Sequence, residues 1–266
     1  MRNGIGSLKR LAFDAARGVG LDLKLERDSR FKIRGLSARW DDGEPNITRG
    51  LIAEHSIGGT IVRFFVRDEA DFIQKCHVQG RWYEADDLEQ LKRFYSGGTF
   101  VDIGANVGNH TLYAALVLDA PRVVSFEPNP PAFAICRYNV LLNDLSDRVV
   151  LRDFGLASAP SMANVARSPE HNLGATQLSH ADGGTLRLVR GDDALADEAP
   201  ALIKIDVEAL ELDVIEGIRG TLARHRPAVF VEVDPHNRAR FLEMLDGLDY
   251  AVAAELANSN FVILPR

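Results

Sequence analysis

From Thr99 to the C-terminus, short apolar runs and amphipathic stretches alternate with a regularity that few architectures satisfy. FVDIGA precedes a helical pattern over 110–118, RVVSFEP one over 132–142, and ALIKIDV one over 210–222. VVLRDFGLAS and PAVFVEV read as further strands. The strand runs are continuously apolar rather than alternating, as expected where helices cover both faces of a parallel sheet. The pattern predicts an α/β fold built on a doubly wound sheet. Residues 240–266 read as a helix followed by AVAAEL and NFVILP, a terminal pair of strands at the sheet edge.

The first third reads differently. Leu8, Leu11, Ala12, Ala15 and Ala16 fall at helical spacing and stop at Gly18, which predicts an amphipathic helix over 7–18. Short β-rich runs lie between 31 and 83, notably 60–66 after Gly58-Gly59, and a helical stretch covers 86–95. We expect a small α+β extension over 1–95 and the main domain over 96–266, divided near Ser96-Gly97-Gly98. With 46% hydrophobic and 26% charged residues, disordered, collagen-like and coiled-coil readings are excluded. No apolar run reaches the roughly 20 residues needed to span a bilayer, and the leader lacks a signal-type apolar core, so a cytoplasmic protein is expected.

Charge narrows the partners. A net charge of −7 opposes a nucleic-acid binder, as does the lack of an N-P-P-Y-like tetrapeptide for a flipped-out base. Residues 1–34 carry nine Lys/Arg against four Asp/Glu, a basic leader that would allow weak contact with a membrane surface, or a homodimer. Cys76 and Cys136 match no metal-binding spacing and read as free buried thiols.

The chemistry concentrates at strand ends. In Val101-Asp102-Ile103-Gly104-Ala105-Asn106-Val107-Gly108, the two glycines permit a tight turn with close ligand approach, and the next helix offers unpaired N–H groups. Glu127, 19 residues after Gly108, ends the second strand, where a carboxylate accepts ribose hydroxyls; Pro128 and Pro130 stiffen the turn around Asn129. A dinucleotide fingerprint would place a glycine where Asn106 stands, and Asp102 would repel a pyrophosphate while favouring the ammonium of a bound amino acid. S-Adenosylmethionine combines such an ammonium with a sulfonium, a carboxylate and a ribose. A second cluster, Lys204-Ile205-Asp206-Val207-Glu208-Ala209-Leu210-Glu211, should face the same crevice. Its acids could also cap their helix, and Glu211 reads as a first-turn stabiliser.

FVDIGANVGNHTL, SFEPNP, and IKIDVEALELDVIEG followed by RPAVFVEV, taken in this order over 86–235, resemble the FkbM family of S-adenosylmethionine-dependent methyltransferases. The resemblance implies a class I methyltransferase (Rossmann-like) fold and O-methylation of hydroxyls on small molecules, saccharides or glycolipids. It assigns Asp102, Gly104, Ala105, Asn106 and Gly108 to the cofactor loop and Glu127, with Pro128 and Asn129, to the ribose. Asp153 and Phe154 fall where related enzymes contact the adenine. Ala209 departs from the pattern, which usually has glycine there; a need for positive φ would strain this position.

Methyl transfer to a hydroxyl needs alignment and proton removal. Asp206, Glu208 and His236 are the catalytic candidates, and His171 lies in an irregular stretch suited to a substrate lid. Asp206, Glu208, Glu232 and Asp234 could supply oxygens to Mg²⁺ or Ca²⁺, but the pattern is unspecific and no metal site is assigned. The alternatives are an NAD(P)-linked oxidoreductase and a non-catalytic nucleoside-binding scaffold.

Overall fold

The computed structural model describes residues 25–27, 31–34 and 49–266, so the helix expected over 7–18 lies outside the described residues. Strands β1 (Leu25–Arg27), β2 (Phe31–Arg34), β3 (Arg49–Ile57) and β4 (Thr60–Val66) form an antiparallel sheet in that order. Gly58-Gly59 makes the β3–β4 turn, with Ile57 opposite Thr60. Helices α1 (Phe72–Val78) and α2 (Ala85–Phe94) follow. Asp71 caps α1, its carboxylate accepting from the Ile73 and Gln74 backbone N–H groups.

The predicted alternation then appears as β5 (Thr99–Ile103), α3 (Asn109–Leu116), β6 (Arg122–Phe126), α4 (Pro130–Leu142) and β7 (Val149–Arg152). Strands β8 (Gly155–Ala157), β9 (Ser161–Arg167), β10 (Gln177–His180) and β11 (Leu186–Arg190) form a separate sheet, ordered β10-β9-β11-β8. After α5 (Gly191–Ala194) come β12 (Pro200–Ile205), α6 (Glu211–Gly217), α7 (Arg219–His225), β13 (Ala228–Glu232), α8 (Arg238–Leu248), β14 (Tyr250–Glu255) and β15 (Asn260–Pro265). The main sheet runs β14-β15-β13-β12-β5-β6-β7. β13, β12, β5, β6 and β7 are parallel, and β15 is antiparallel to both neighbours. The chain winds outward through β6 and β7, then restarts at β12 on the other side of β5. The topological switch point therefore lies between β5 and β12, where open α/β sheets bind ligands.

Alternate residues of each strand feed different cores, which explains the continuous apolar runs. Phe100, Val123, Leu202 and Phe230 pack on one face with Leu112 and Tyr113 of α3. Val101, Val124, Ile203 and Val229 pack on the other with Val214, Ile218 and Phe241. Leu51, Phe64, Val66 and Trp82 join the first core, so the antiparallel sheet shares its interior with the main sheet. The outer edge of β4 is closed by α4: Asn139 Oδ1 accepts from Phe65 N at 2.6 Å, and Asn143 accepts from Arg63 N at 2.9 Å and donates to its carbonyl at 2.7 Å.

Two segments differ from expectation. VVLRDFGLAS is broken at Asp153-Phe154, because Gly155 crosses to pair alongside β11; a Cβ there would lie 2.7 Å from the Leu188 side chain. The helix expected over 210–222 divides at Ile218, and Asp192 satisfies the second helix, accepting from Gly220 N at 3.0 Å and Thr221 N at 2.7 Å. The two terminal strands pair at the sheet edge as expected. Cys76 and Cys136 are free and buried. Among the described residues no helix is long and apolar enough to cross a membrane.

Candidate active site

A cleft with about 1150 Å³ of empty space, its mouth included, opens at the carboxyl ends of β13, β12, β5 and β6. The strand tips place their polar groups in a row: Glu232 on β13, Asp206 after β12, the Gly104 loop after β5, and Glu127 after β6.

The loop is built by sterics. Gly104 has φ +81°, and a Cβ on it would lie 1.8 Å from the Asp206 carbonyl oxygen. The Gly104 and Ala105 N–H groups both donate to the Phe126 carbonyl at 3.0 Å, folding the loop toward β6. Asn106 N donates to Glu127 Oε2 and Asn129 N to Glu127 Oε1, each at 2.8 Å. Burial still pushes the Glu127 carboxyl up to about 7. Asn106 Oδ1 is buried without a hydrogen-bond partner.

Lys204, buried on β12, organises the other side. Its Nζ donates to the Gly104 carbonyl at 3.0 Å and to Asp206 Oδ2 at 3.1 Å, and lies 3.6 Å from Asp102 Oδ1. Around Asp206 stand Glu84, Glu208 and Glu232, all lining the cleft. Burial first, then the charge of Asp206, raises each: Glu84 and Glu208 to about 7, Glu232 to about 8. His110 on α3 is buried, with Nε2 unbonded and 3.9 Å from Glu84 Oε2; burial, then Lys204, drives its pKa well below the usual histidine range. Phe72 and Tyr83, in edge-to-face contact at 5.7 Å, line the cleft too.

Residues 172–176 line the cleft as a strap anchored to the α1 region. Phe72 N donates to the His171 carbonyl at 2.8 Å, Leu173 N to Asp71 Oδ2 at 2.9 Å, and His171 Nδ1 meets Asp68 Oδ2 at 2.6 Å. The His171 ring is itself half-exposed.

Of the residues singled out in the sequence, Gly104, Ala105, Asn106, Glu127, Pro128, Asn129, Asp206 and Glu208 line the cleft together. The others do not. Asp102 turns inward, accepting from Thr111 Oγ1 at 2.6 Å beside Lys204, and so does not face a ligand's ammonium. Gly108 packs against Cys136, where a Cβ would lie 2.8 Å from Sγ. Asp153 is exposed beyond the cleft, and Phe154 stacks under Arg187, 4.4 Å from its guanidinium carbon. His236, expected in the crevice, is 95% exposed and bonded to Asp234 at 2.9 Å, because the β13–α8 turn carries it outward. Glu211 does more than stabilise a first turn: it is buried and accepts from Asp234 N at 2.8 Å and Asn237 Nδ2 at 2.9 Å. Among the described residues no group of three or more His, Cys, Asp or Glu is arranged to hold a metal ion.

Residues 102–254 match the methyltransferase FkbM domain. The chain belongs to the FkbM methyltransferase family. Its likeness to the hexuronic acid methyltransferase AglP of Haloferax volcanii is 30% identity over 194 residues, covering 70% of this chain and 74% of that protein. Methyltransferase sdnD of Sordaria araneosa is 25% identical over 185 residues, 56% of this chain and 69% of that one. A crystal structure of methyltransferase FkbM from Methylobacillus flagellatus aligns with TM-score 0.46 and 17% identity, over 72% of this chain and 52% of that one. This FkbM-family chain is a methyltransferase, and its sheet is doubly wound, as the sequence pattern predicts. Tyr83, Glu84 and His110 had no assigned role in the sequence, and Lys204 was noted only as part of its run. The signal for Lys204 was a charged residue inside an apolar strand.

Proposed function

We propose that this methyltransferase uses S-adenosylmethionine to methylate a hydroxyl oxygen on a small molecule, saccharide or glycolipid. The order of groups along the sheet edge carries the reading: a ribose-type carboxylate, Glu127, at one end, a glycine loop in the middle, and an acidic pocket at the other end. The residues fit the cofactor. Each Glu127 oxygen accepts one backbone N–H and retains capacity for a ribose hydroxyl, and the unbonded Asn106 Oδ1 is an acceptor for an ammonium. Leu156, Leu178 and Leu188, beyond Pro128, give an apolar wall for a base. When bound, S-adenosylmethionine supplies a methyl group made electrophilic by its sulfonium charge.

The chain's part is to hold the acceptor and take its proton. Of the sequence candidates Asp206, Glu208 and His236, the first two line the cleft, and Glu84 and Glu232 join them at the same end. Carboxylates held near 7 to 8 accept a proton close to neutral pH. The relative named for hexuronic acid methylation supports a saccharide acceptor. An NAD(P) enzyme is disfavoured by Asn106, which lines the cleft where a pyrophosphate would need glycine.

Incubation with methyl-labelled S-adenosylmethionine and a panel of saccharides tests this. Alkali-stable label in a saccharide is the expected result. Label confined to an alkali-labile ester contradicts hydroxyl transfer, and saccharide oxidation with NAD⁺ or NADP⁺ contradicts methylation altogether.

A further inference from the structure

The acidic end of the cleft has one cation among the described residues that line it, Lys204. That cation is already committed to the Gly104 carbonyl, Asp206 and Asp102. Glu84 comes from the turn before α2, Asp206 and Glu208 from the β12–α6 turn, and Glu232 from β13; Arg167 and Gln177 offset Glu208 alone. The crowding is unfavourable, since each acid raises its neighbours' proton affinity. The His110 side chain, more than nine-tenths buried, lines the same space, and its buried Nε2 is unbonded, 3.9 Å from Glu84 Oε2. Burial, then the Lys204 charge, holds the His110 pKa well below the usual histidine range, which disfavours a competing positive charge there. An orphaned polar atom and a surplus of carboxylates both call for a ligand there.

The row of strand tips orients that ligand. With its ribose at Glu127, an adenosyl donor would extend along the Gly104 loop toward Asp206, which has Glu84 and Glu232 beside it. Building on the S-adenosylmethionine reading, we propose that Glu84, Asp206 and Glu232 form a charge-selective subsite that holds the cationic methyl donor more tightly than the neutral product S-adenosylhomocysteine. The two molecules differ at sulfur by one methyl and one positive charge, so their affinity ratio reads the local potential. The consequence is weak product inhibition: loss of the methyl removes the charge that the subsite holds, and the product leaves.

Calorimetric titration with S-adenosylmethionine, S-adenosylhomocysteine and sinefungin, whose amine places a cation near the sulfonium position, tests this. The wild-type chain should bind both cations at least about tenfold more tightly than S-adenosylhomocysteine. Glu84→Gln and Glu232→Gln should each lower that ratio several-fold while leaving S-adenosylhomocysteine affinity nearly unchanged. Equal or tighter binding of S-adenosylhomocysteine by the wild-type chain would overturn the charge-selective subsite, as would a ratio unmoved by both variants. If none of the three ligands binds, the donor assignment itself fails, an outcome distinct from loss of selectivity.

Discussion

The ammonium of Lys204 lies 3.1 Å from a carboxylate oxygen of Asp206, and the same nitrogen donates to the Gly104 carbonyl at 3.0 Å. One side chain thus ties the ends of β5 and β12 together at the switch point. It also stands 3.6 Å from Asp102, which is fully buried. Replacing Lys204 by Met would leave the Asp102 charge buried without compensation, a loss of about 3–5 kcal/mol in such cases. Urea denaturation of Lys204→Met should show a loss of that order, and adding Asp102→Asn should recover part of it. A loss below about 1 kcal/mol in the single variant would mean that Asp102 is held protonated.

Ala209 adopts φ +77°, and its neighbour Glu208 φ +48°. The β12–α6 turn therefore keeps a left-handed backbone with a side chain where the family resemblance implies glycine. Left-handed backbone costs a non-glycine residue about 1–2 kcal/mol, and glycine returns part of that as unfolded-state entropy. Ala209→Gly should stabilise the protein by roughly 0.5–1 kcal/mol, read as a higher melting temperature. A lower melting temperature would show that the Ala209 methyl makes packing contacts outweighing the strain.

The sequence made the sheet legible because both of its faces are covered, so the parallel strands read as largely apolar runs, interrupted inside the sheet by Asp102, Ser125 and Lys204. The Gly104 turn and the place of Glu127 at the strand tip were legible because a tight turn and a strand end impose residue types at fixed spacing. Glu84 was not, since the shared core and the Asn139 and Asn143 bonds to β4 bring the N-terminal sheet to the cleft, and no local pattern records them. His236 misled for the opposite reason. Its position after β13 was read correctly, but the direction of its side chain depends on a turn geometry that spacing does not encode.

Burial raises Glu127 and Glu208 to about 7 and Glu232 to about 8, so they bind protons more tightly in the folded chain than an ordinary glutamate does. For a carboxyl raised in this way, the folded state holds more protons than the unfolded one, so stability falls as pH rises through the folded value. His77, lowered to about 4 by burial, and His110 act in the opposite sense only below about 6.5. Between pH 6.5 and 8.5 the carboxyls dominate this balance. Denaturation midpoints should fall across that window, and Glu232→Gln should flatten its upper half. A wild-type midpoint that rises from pH 6.5 to 8.5 would contradict the buried-carboxyl arrangement.

Whether the Gly104 loop and Glu127 hold the adenosyl donor is read from titration of the wild-type and Glu127→Ala proteins with S-adenosylmethionine and NAD⁺. The wild-type chain should bind S-adenosylmethionine saturably and NAD⁺ not at all, and Glu127→Ala should bind the donor at least about tenfold more weakly, the effect of about 1.4 kcal/mol from lost hydrogen bonds to a carboxylate. Unchanged affinity in the variant, or preference for NAD⁺, would contradict that placement of the donor.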